Sequence, residues 1–142
     1  MKQLNIEQKL SLFEDDWMER YRYIISLGEK MPHFPDNFKI DQYKVDGCIS
    51  QVWLKIEMND NKYLSFIGDS DSAIVKGLVA ILRDLLSNRP PDEILDEDIE
   101  GFFSRVGLQQ HISPNRRSGF FSMVQEIRKA AIVIKTLYIN SS

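Results

Sequence analysis

Cys48 is the single cysteine among 142 residues, and its neighbours are those of a presented nucleophile. It lies in Val45-Asp46-Gly47-Cys48-Ile49-Ser50-Gln51-Val52-Trp53, directly after a glycine and at the mouth of an alternating apolar run. One cysteine cannot close an internal disulfide or hold a structural zinc, which takes about four ligands. What remains is packing, where a free cysteine acts as a small hydrophobe, or chemistry at one sulfur. Gly47 admits backbone conformations closed to other residues, so it can present the next side chain from a tight loop. Ser50 and Gln51 offer polar groups within reach of a loop sulfur. The chemistry open to such a thiol is nucleophilic attack by its thiolate. At an ordinary pKa of about 8.5 only a small fraction is ionised at pH 7, so a neighbouring group should assist.

The elements that must position this loop are legible in outline. Asn5 and Asp16 read as helix N-caps, and Asp16-Trp17-Met18-Glu19 has the spacing of a capping box. Trp17, Tyr21, Ile24, Ile25 and Gly28 then share one helical face, and Gly28, Lys30 and Pro32 supply its stop. Residues 31–44, with Pro32, Pro35, Asp36 and Asn37, read as a loop leading to the cysteine. Val52, Leu54, Ile56 and Met58 alternate with Trp53, Lys55 and Glu57, which is strand periodicity. After Asn59-Asp60-Asn61, a second strand returns over residues 63–67, giving a hairpin over about residues 50–68.

Gly68-Asp69-Ser70-Asp71 should end the hairpin and cap the next helix. That helix has Ala73, Ile74, Gly77, Leu78, Ile81, Leu82 and Leu85 on its apolar face. Capping also explains Asp69 and Asp71 better than a metal pair does. An exposed Gly77 would cost about 1 kcal/mol against alanine, so it marks a close packing contact. Past Arg89-Pro90-Pro91-Asp92, a short acidic helix carries Ile94 and Leu95, and Ile99, Phe102, Phe103 and Val106 face inward. Ser113-Pro114 is an N-cap and first-turn pair. The last helix buries Phe120, Met123, Val124, Ile127, Ala131, Ile134 and Tyr138. The expected class is α+β, a small antiparallel sheet covered by helices, with no repeats or linkers.

At 142 residues one domain spanning 1–142 is expected, large enough for a core without disulfides or metals. A net charge of −3 gives no basic field for nucleic-acid phosphates. The start, Met1-Lys2-Gln3-Leu4-Asn5-Ile6-Glu7-Gln8, lacks the apolar stretch of a secretory leader. No apolar run approaches the roughly 20 residues that span a bilayer. A cytoplasmic protein with a reduced thiol is therefore expected, bound to neither membrane nor nucleic acid.

The cysteine segment resembles the cysteine motif of the SufE family, the sulfur acceptors that partner cysteine desulfurases in iron–sulfur cluster assembly. Two more segments follow in the family's order and at similar spacing: Gly68-Asp69-Ser70-Asp71-Ser72-Ala73-Ile74-Val75-Lys76-Gly77-Leu78 and Leu108-Gln109-Gln110-His111-Ile112-Ser113-Pro114-Asn115-Arg116. The stretch from Asp16-Trp17 to Pro35 also fits, so the resemblance covers nearly the whole chain. It implies a fold like those of SufE and IscU. It further implies that Cys48 takes a persulfide sulfur from a SufS- or CsdA-like cysteine desulfurase. Cys48 would stimulate that enzyme and pass the sulfur to a SufBCD-like iron–sulfur scaffold. Pyridoxal phosphate would sit on the desulfurase, with no cofactor or metal on this chain, which would be a monomer or weak homodimer.

A persulfide also lasts longer without a second cysteine to discharge it as a disulfide, and this chain has none. The resemblance favours Arg116 as the group assisting the thiolate, in the first turn of the last helix, where negative charge is also favoured. His111 is a candidate proton acceptor and Asp71 a candidate partner contact. The desulfurase would then dock around the cysteine loop, the 68–72 turn and the start of the last helix. Two positions depart from the family pattern. Ile49 stands where the family more often has glutamine, and Asp46 where an uncharged or basic residue is common. Asp46 should oppose thiolate formation if it faces the sulfur.

Three rival readings make different demands. A cluster scaffold of the IscU type needs several cysteine ligands, which one cysteine cannot supply. A cysteine hydrolase would pair Cys48 with His111 as base and needs the imidazole within hydrogen-bond reach of the sulfur. An interaction domain with an incidental cysteine predicts that Cys48→Ser changes nothing. Under the sulfur-acceptor reading, the sulfur is expected to rest mostly buried against Val45, Ile49 and Val52, with Gly47 as its hinge.

Overall fold

Side-chain caps fix where the helices start. The computed structural model of the chain describes residues 4–13 and 15–139; residues 1–3, part of the stretch read for a leader, lie outside them. Asn5 and Gln8 form a reciprocal capping box at α1 (Ile6–Ser11), each side chain accepting from the other's backbone N–H at 2.8 and 2.9 Å. Asp16 caps α2 (Trp17–Glu29) by accepting from the Glu19 N–H at 3.1 Å. The expected box there is not closed, because the Glu19 carboxylate turns to Arg22 instead. The loop after α2 holds two single 3₁₀ turns, Asp36–Phe38 and Asp41–Tyr43. The Lys55 ammonium lies 4.7 Å from the Phe38 ring centroid and 5.9 Å from that of Tyr43, fastening both turns to the first strand.

The sheet is the expected antiparallel hairpin, β1 (Val52–Met58) against β2 (Leu64–Ser70), with Val52 opposite Ser70 and Met58 opposite Leu64. The alternating apolar residues Val52 and Leu54 meet Leu64 and Phe66 on the face that α3 (Ala73–Leu86) covers. β2 runs three residues past the expected end at Ile67. Gly68, which reads as a breaker, is instead a close-approach position inside the strand. A side chain there would come within 2.8 Å of Val79 and 2.9 Å of Leu54.

The cap of α3 is consequently neither Asp69 nor Asp71 but Ser72, whose Oγ accepts from the Val75 N–H. Asp69 is buried instead, accepting from the Ser70 N–H and pairing with Lys39 at 3.2 Å and Lys76 at 3.5 Å. Those lysines and that N–H hold its carboxyl below the usual range, outweighing the opposing effect of burial.

α2 and α3 touch backbone to backbone. A methyl group on Gly77 would lie 2.2 Å from the Ile24 carbonyl oxygen, and one on Gly28 would lie 2.8 Å from the Gly77 nitrogen. Gly77 is thus the close contact expected of it. Ala73, placed on the apolar face of α3 by its spacing, is exposed, while Val75 and Val79 are buried.

The short helices α4 (Pro91–Asp96), α5 (Ile99–Arg105) and α6 (Leu108–His111) lead to the long α7 (Pro114–Ile134). Phe103 of α5 lies 4.9 Å from Phe120 of α7, centroid to centroid, and closes that side of the core. α7 buries Phe120, Met123, Val124, Ile127, Ala131 and Ile134 as expected, but Tyr138 is exposed. It sits in a π-helical turn, Lys135–Ile139, whose wider winding carries it off the α-helical register. The architecture is therefore α+β, a two-stranded antiparallel sheet with helices packed around it. Among the described residues no helix is long and apolar enough to cross a membrane.

Candidate functional site

Cys48 sits near the middle of a six-residue loop, 46–51, whose ends are held together. Lys44 and Trp53 form an isolated antiparallel bridge, and the Val45 N–H donates to the Val52 carbonyl at 2.8 Å. Val45 and Val52 are both buried, so the base of the loop is anchored in the core. The exit side is tied to the turn before α3. The Gln51 N–H donates to Asp71 Oδ1 at 3.0 Å, Ser70 Oγ donates to the Gln51 carbonyl at 2.7 Å, and the Asp71 N–H donates to it at 3.3 Å.

The tip of the loop lies against α7. Gly47 has φ of +87°, in the left-handed region that glycine accepts freely. A side chain there would also come within 2.7 Å of Ser122 Oγ. Cys48 follows one helical turn back along α7, over Gly119. Its thiol donates to the Gly119 carbonyl oxygen at 3.6 Å. Gly119 is a buried glycine in the interior of α7, and a methyl group on it would stand 3.2 Å from the sulfur.

Beside the sulfur opens a cleft of about 430 Å³. The loop contributes Cys48, Ile49 and Ser50, and α3 contributes Val75. The first turns of α7 add Ser113, Asn115, Arg116 and Gly119. Cys48 is half-buried, and burial pushes its thiol above the ordinary pKa, with the Asp46 charge adding to the effect. The lining is less enclosing than an apolar pocket formed by Val45, Ile49 and Val52 would be. Ile49 is 78 % exposed at the rim, and the valines lie beneath the loop in the core.

The candidate residues divide into three sets by where they fall. Gly47, Cys48, Ser50 and Arg116 come together at the cleft or its loop. Arg116, exposed in the first turn of α7, donates from Nη1 to the Tyr21 hydroxyl at 2.7 Å. Gln51 and Asp71 form the clamp on the loop's exit, acting through the Gln51 backbone. His111 lies apart from both. Its ring stacks on Trp17 at 3.6 Å with an interplanar angle of 21°, and it lines a different cleft with Arg20 and Gly107. The thiol's hydrogen bond goes to a backbone carbonyl, so the cysteine–histidine pair that a hydrolase requires is not assembled. Among the described residues no group of three or more His, Cys, Asp or Glu side chains could hold a metal ion.

Sequence reasoning missed Gly119, Asn115, Val75 and Ser122. For Gly119 a signal existed. A glycine inside a helix costs about 1 kcal/mol against alanine, the same consideration that singled out Gly77. Val75 and Asn115 lie within the two segments that carry the family resemblance, but nothing local marks their side chains, or that of Ser122, as site residues. Each becomes one only through contacts with a loop distant in sequence.

Residues 5–131 match the family described as "SufE: Fe-S metabolism associated domain". An uncharacterised SufE-like protein of Rhizobium etli is 43 % identical over 125 residues, covering 86 % of this chain and 84 % of that protein. A solution structure of a hypothetical protein from Thermus thermophilus superposes with a TM-score of 0.73. It covers 92 % of this chain and 95 % of that one at 19 % identity, and so speaks to the fold alone.

Proposed function

Because this chain belongs to the SufE family, we propose that it takes a persulfide sulfur from a cysteine desulfurase onto Cys48. The observation that carries this reading is the single thiol, presented on a loop anchored at both ends beside an open cleft. The Cys48 thiolate attacks the terminal sulfur of the donor's cysteine persulfide. A new S–S bond forms to Cys48, and the donor's S–S bond breaks with its electron pair left on the donor's cysteine thiolate. The proton released by Cys48 balances the one that the donor thiolate or solvent takes up. The sulfur changes carrier, and no external oxidant or reductant is consumed.

The protein in this reading is a sulfur carrier and an activator of its donor, rather than an enzyme with a resident cofactor. Pyridoxal phosphate belongs to the desulfurase, and an iron–sulfur scaffold receives the sulfur. The absence of another cysteine anywhere in the chain supports a relay, since no internal thiol can discharge the persulfide. Docking around the cleft, the 68–72 turn and the start of α7 brings the donor to the sulfur, with Arg116 at the rim.

The test is mass spectrometry after incubation with a desulfurase, pyridoxal phosphate and cysteine. The expected result is a gain of one sulfur atom on the peptide containing Cys48, reversed by dithiothreitol. Cys48→Ser should fold normally and lose all stimulation of the desulfurase. Full stimulation by that variant would leave the protein an allosteric partner at most.

A further inference from the structure

The Cys48 sulfur rests on the one place along α7 where the helix has no side chain to fend it off. A methyl group on Gly119 would stand 3.2 Å from Sγ and 3.7 Å from Cβ of Cys48, so it could be accommodated only if the sulfur moved by a few tenths of an ångström. The same residue offers its carbonyl oxygen to the thiol at 3.6 Å. A carbonyl accepts from S–H and repels S⁻, so this position is available only to the protonated sulfur. One turn further along the helix, Gly47 fits closely over Ser122, which holds the loop backbone at that point. The adjoining cleft of about 430 Å³ gives the sulfur somewhere to go without refolding the loop.

We infer that Gly119 is the positioning residue that keeps Cys48 at rest as an inward-facing thiol. Its missing side chain provides the sulfur's seat, and its carbonyl retains the sulfur's proton. Ionisation and attack belong to a second side-chain position, turned into the cleft toward Ser113, Asn115 and Arg116 at the start of α7. The half-burial of the sulfur agrees with this division, since desolvation disfavours the thiolate while the sulfur sits on the helix. The inference rests on the relay reading only for what the sulfur is used for. Its test reads thiol reactivity in the free protein and does not depend on whether any transfer occurs.

The experiment is iodoacetamide alkylation of the full chain across pH, with thermal unfolding measured in parallel, for wild type, Gly119→Ala and Gly119→Val. Displacing the sulfur should speed alkylation at pH 7 by about fivefold for alanine and about tenfold for valine, through a lower apparent thiol pKa. General loosening would give faster alkylation only together with a lower melting temperature. For Gly119→Ala the melting temperature should hold, because alanine suits a helix better than glycine.

A second measurement stands even if these variants fold poorly: Gly119→Ala combined with Cys48→Ala. With the sulfur gone, Gly119→Ala should raise the melting temperature by about 4 °C from helix propensity, and by clearly less when Cys48 is present. Equal shifts in both backgrounds, or alkylation of a well-folded Gly119→Ala at the wild-type rate, would overturn the inference.

Discussion

Gly77 and Gly119 are both buried glycines in the interior of a helix, and each lies under another part of the chain. Under Gly77 the neighbour is backbone, the Ile24 carbonyl of α2 at 2.2 Å from where a methyl group would be. Under Gly119 the neighbour is the end of one side chain, the Cys48 sulfur at 3.2 Å. Both positions give up about 1 kcal/mol of helix propensity. In the first, the gap is closed by two helices that can part only by opening the core. In the second, it is filled by the end of one side chain, whose displacement parts no helices. A close-packed glycine therefore reports a contact, and the partner's freedom to move decides whether the contact is structural or poised.

The largest effect expected from this contrast is at α3. Gly77→Ala cannot be absorbed by rotating a side chain, so α2 and α3 must separate and the variant should lose about 3 kcal/mol of stability. Urea unfolding measures it directly. A Gly77→Ala protein as stable as wild type would mean that the helices can shift past each other cheaply, and the contrast between the two glycines would fail.

How much of this was legible in the sequence depended on how far each residue's partner lies along the chain. Alternation at Val52, Leu54, Ile56 and Met58 placed the hairpin, because the period of a strand is local. Gly68-Asp69-Ser70 resembled a turn by composition, yet cross-strand pairing with Leu54, Trp53 and Val52 draws it into β2. Asp69 looked like a cap until Lys39 and Lys76, brought in from other elements, gave its carboxylate partners. At the site, Gly47 marked a tight loop through its own backbone freedom, and its φ of +87° is what that freedom supplies. His111 could not be placed from sequence. It lies close in sequence to Ser113, which lines the cleft, but its ring packs on Trp17 of α2. Gly119 carried the mark of a glycine inside a helix, but its partner Cys48 is 71 residues away, a separation across which no local pattern operates.

A middle-sized effect is expected at the other restraint on the loop. Asp71 holds the exit side by accepting the Gln51 N–H at 3.0 Å, but the Gln51 carbonyl keeps its bonds from Ser70 Oγ and the Asp71 N–H. Asp71→Ala thus removes one exposed hydrogen bond of three. Stability should fall by about 1 kcal/mol or less, and Cys48 alkylation should rise by about threefold as the loop opens more often. A rise beyond that of Gly119→Ala would transfer control of the sulfur from the helix seat to the clamp.

The smallest effect separates charge from burial. The Cys48 pKa is raised first by desolvation and second by Asp46. The folded protein therefore holds the thiol proton to higher pH than the unfolded chain does. Stability should accordingly fall as pH rises through the ordinary thiol range and level off above the folded value. Alkylation should follow a pH profile whose midpoint lies above that of an unfolded peptide containing the same cysteine. Asp46 is exposed, so water and salt weaken its influence. Asp46→Asn should speed alkylation at pH 7 by only about twofold at low ionic strength. Half-molar salt should erase even that difference, whereas the Gly119→Ala enhancement, which comes from position, should persist in salt. If Asp46→Asn matched the glycine variant and both lost their effect in salt, the charge of the loop would govern the resting thiol, and the seat on α7 would be incidental to its chemistry.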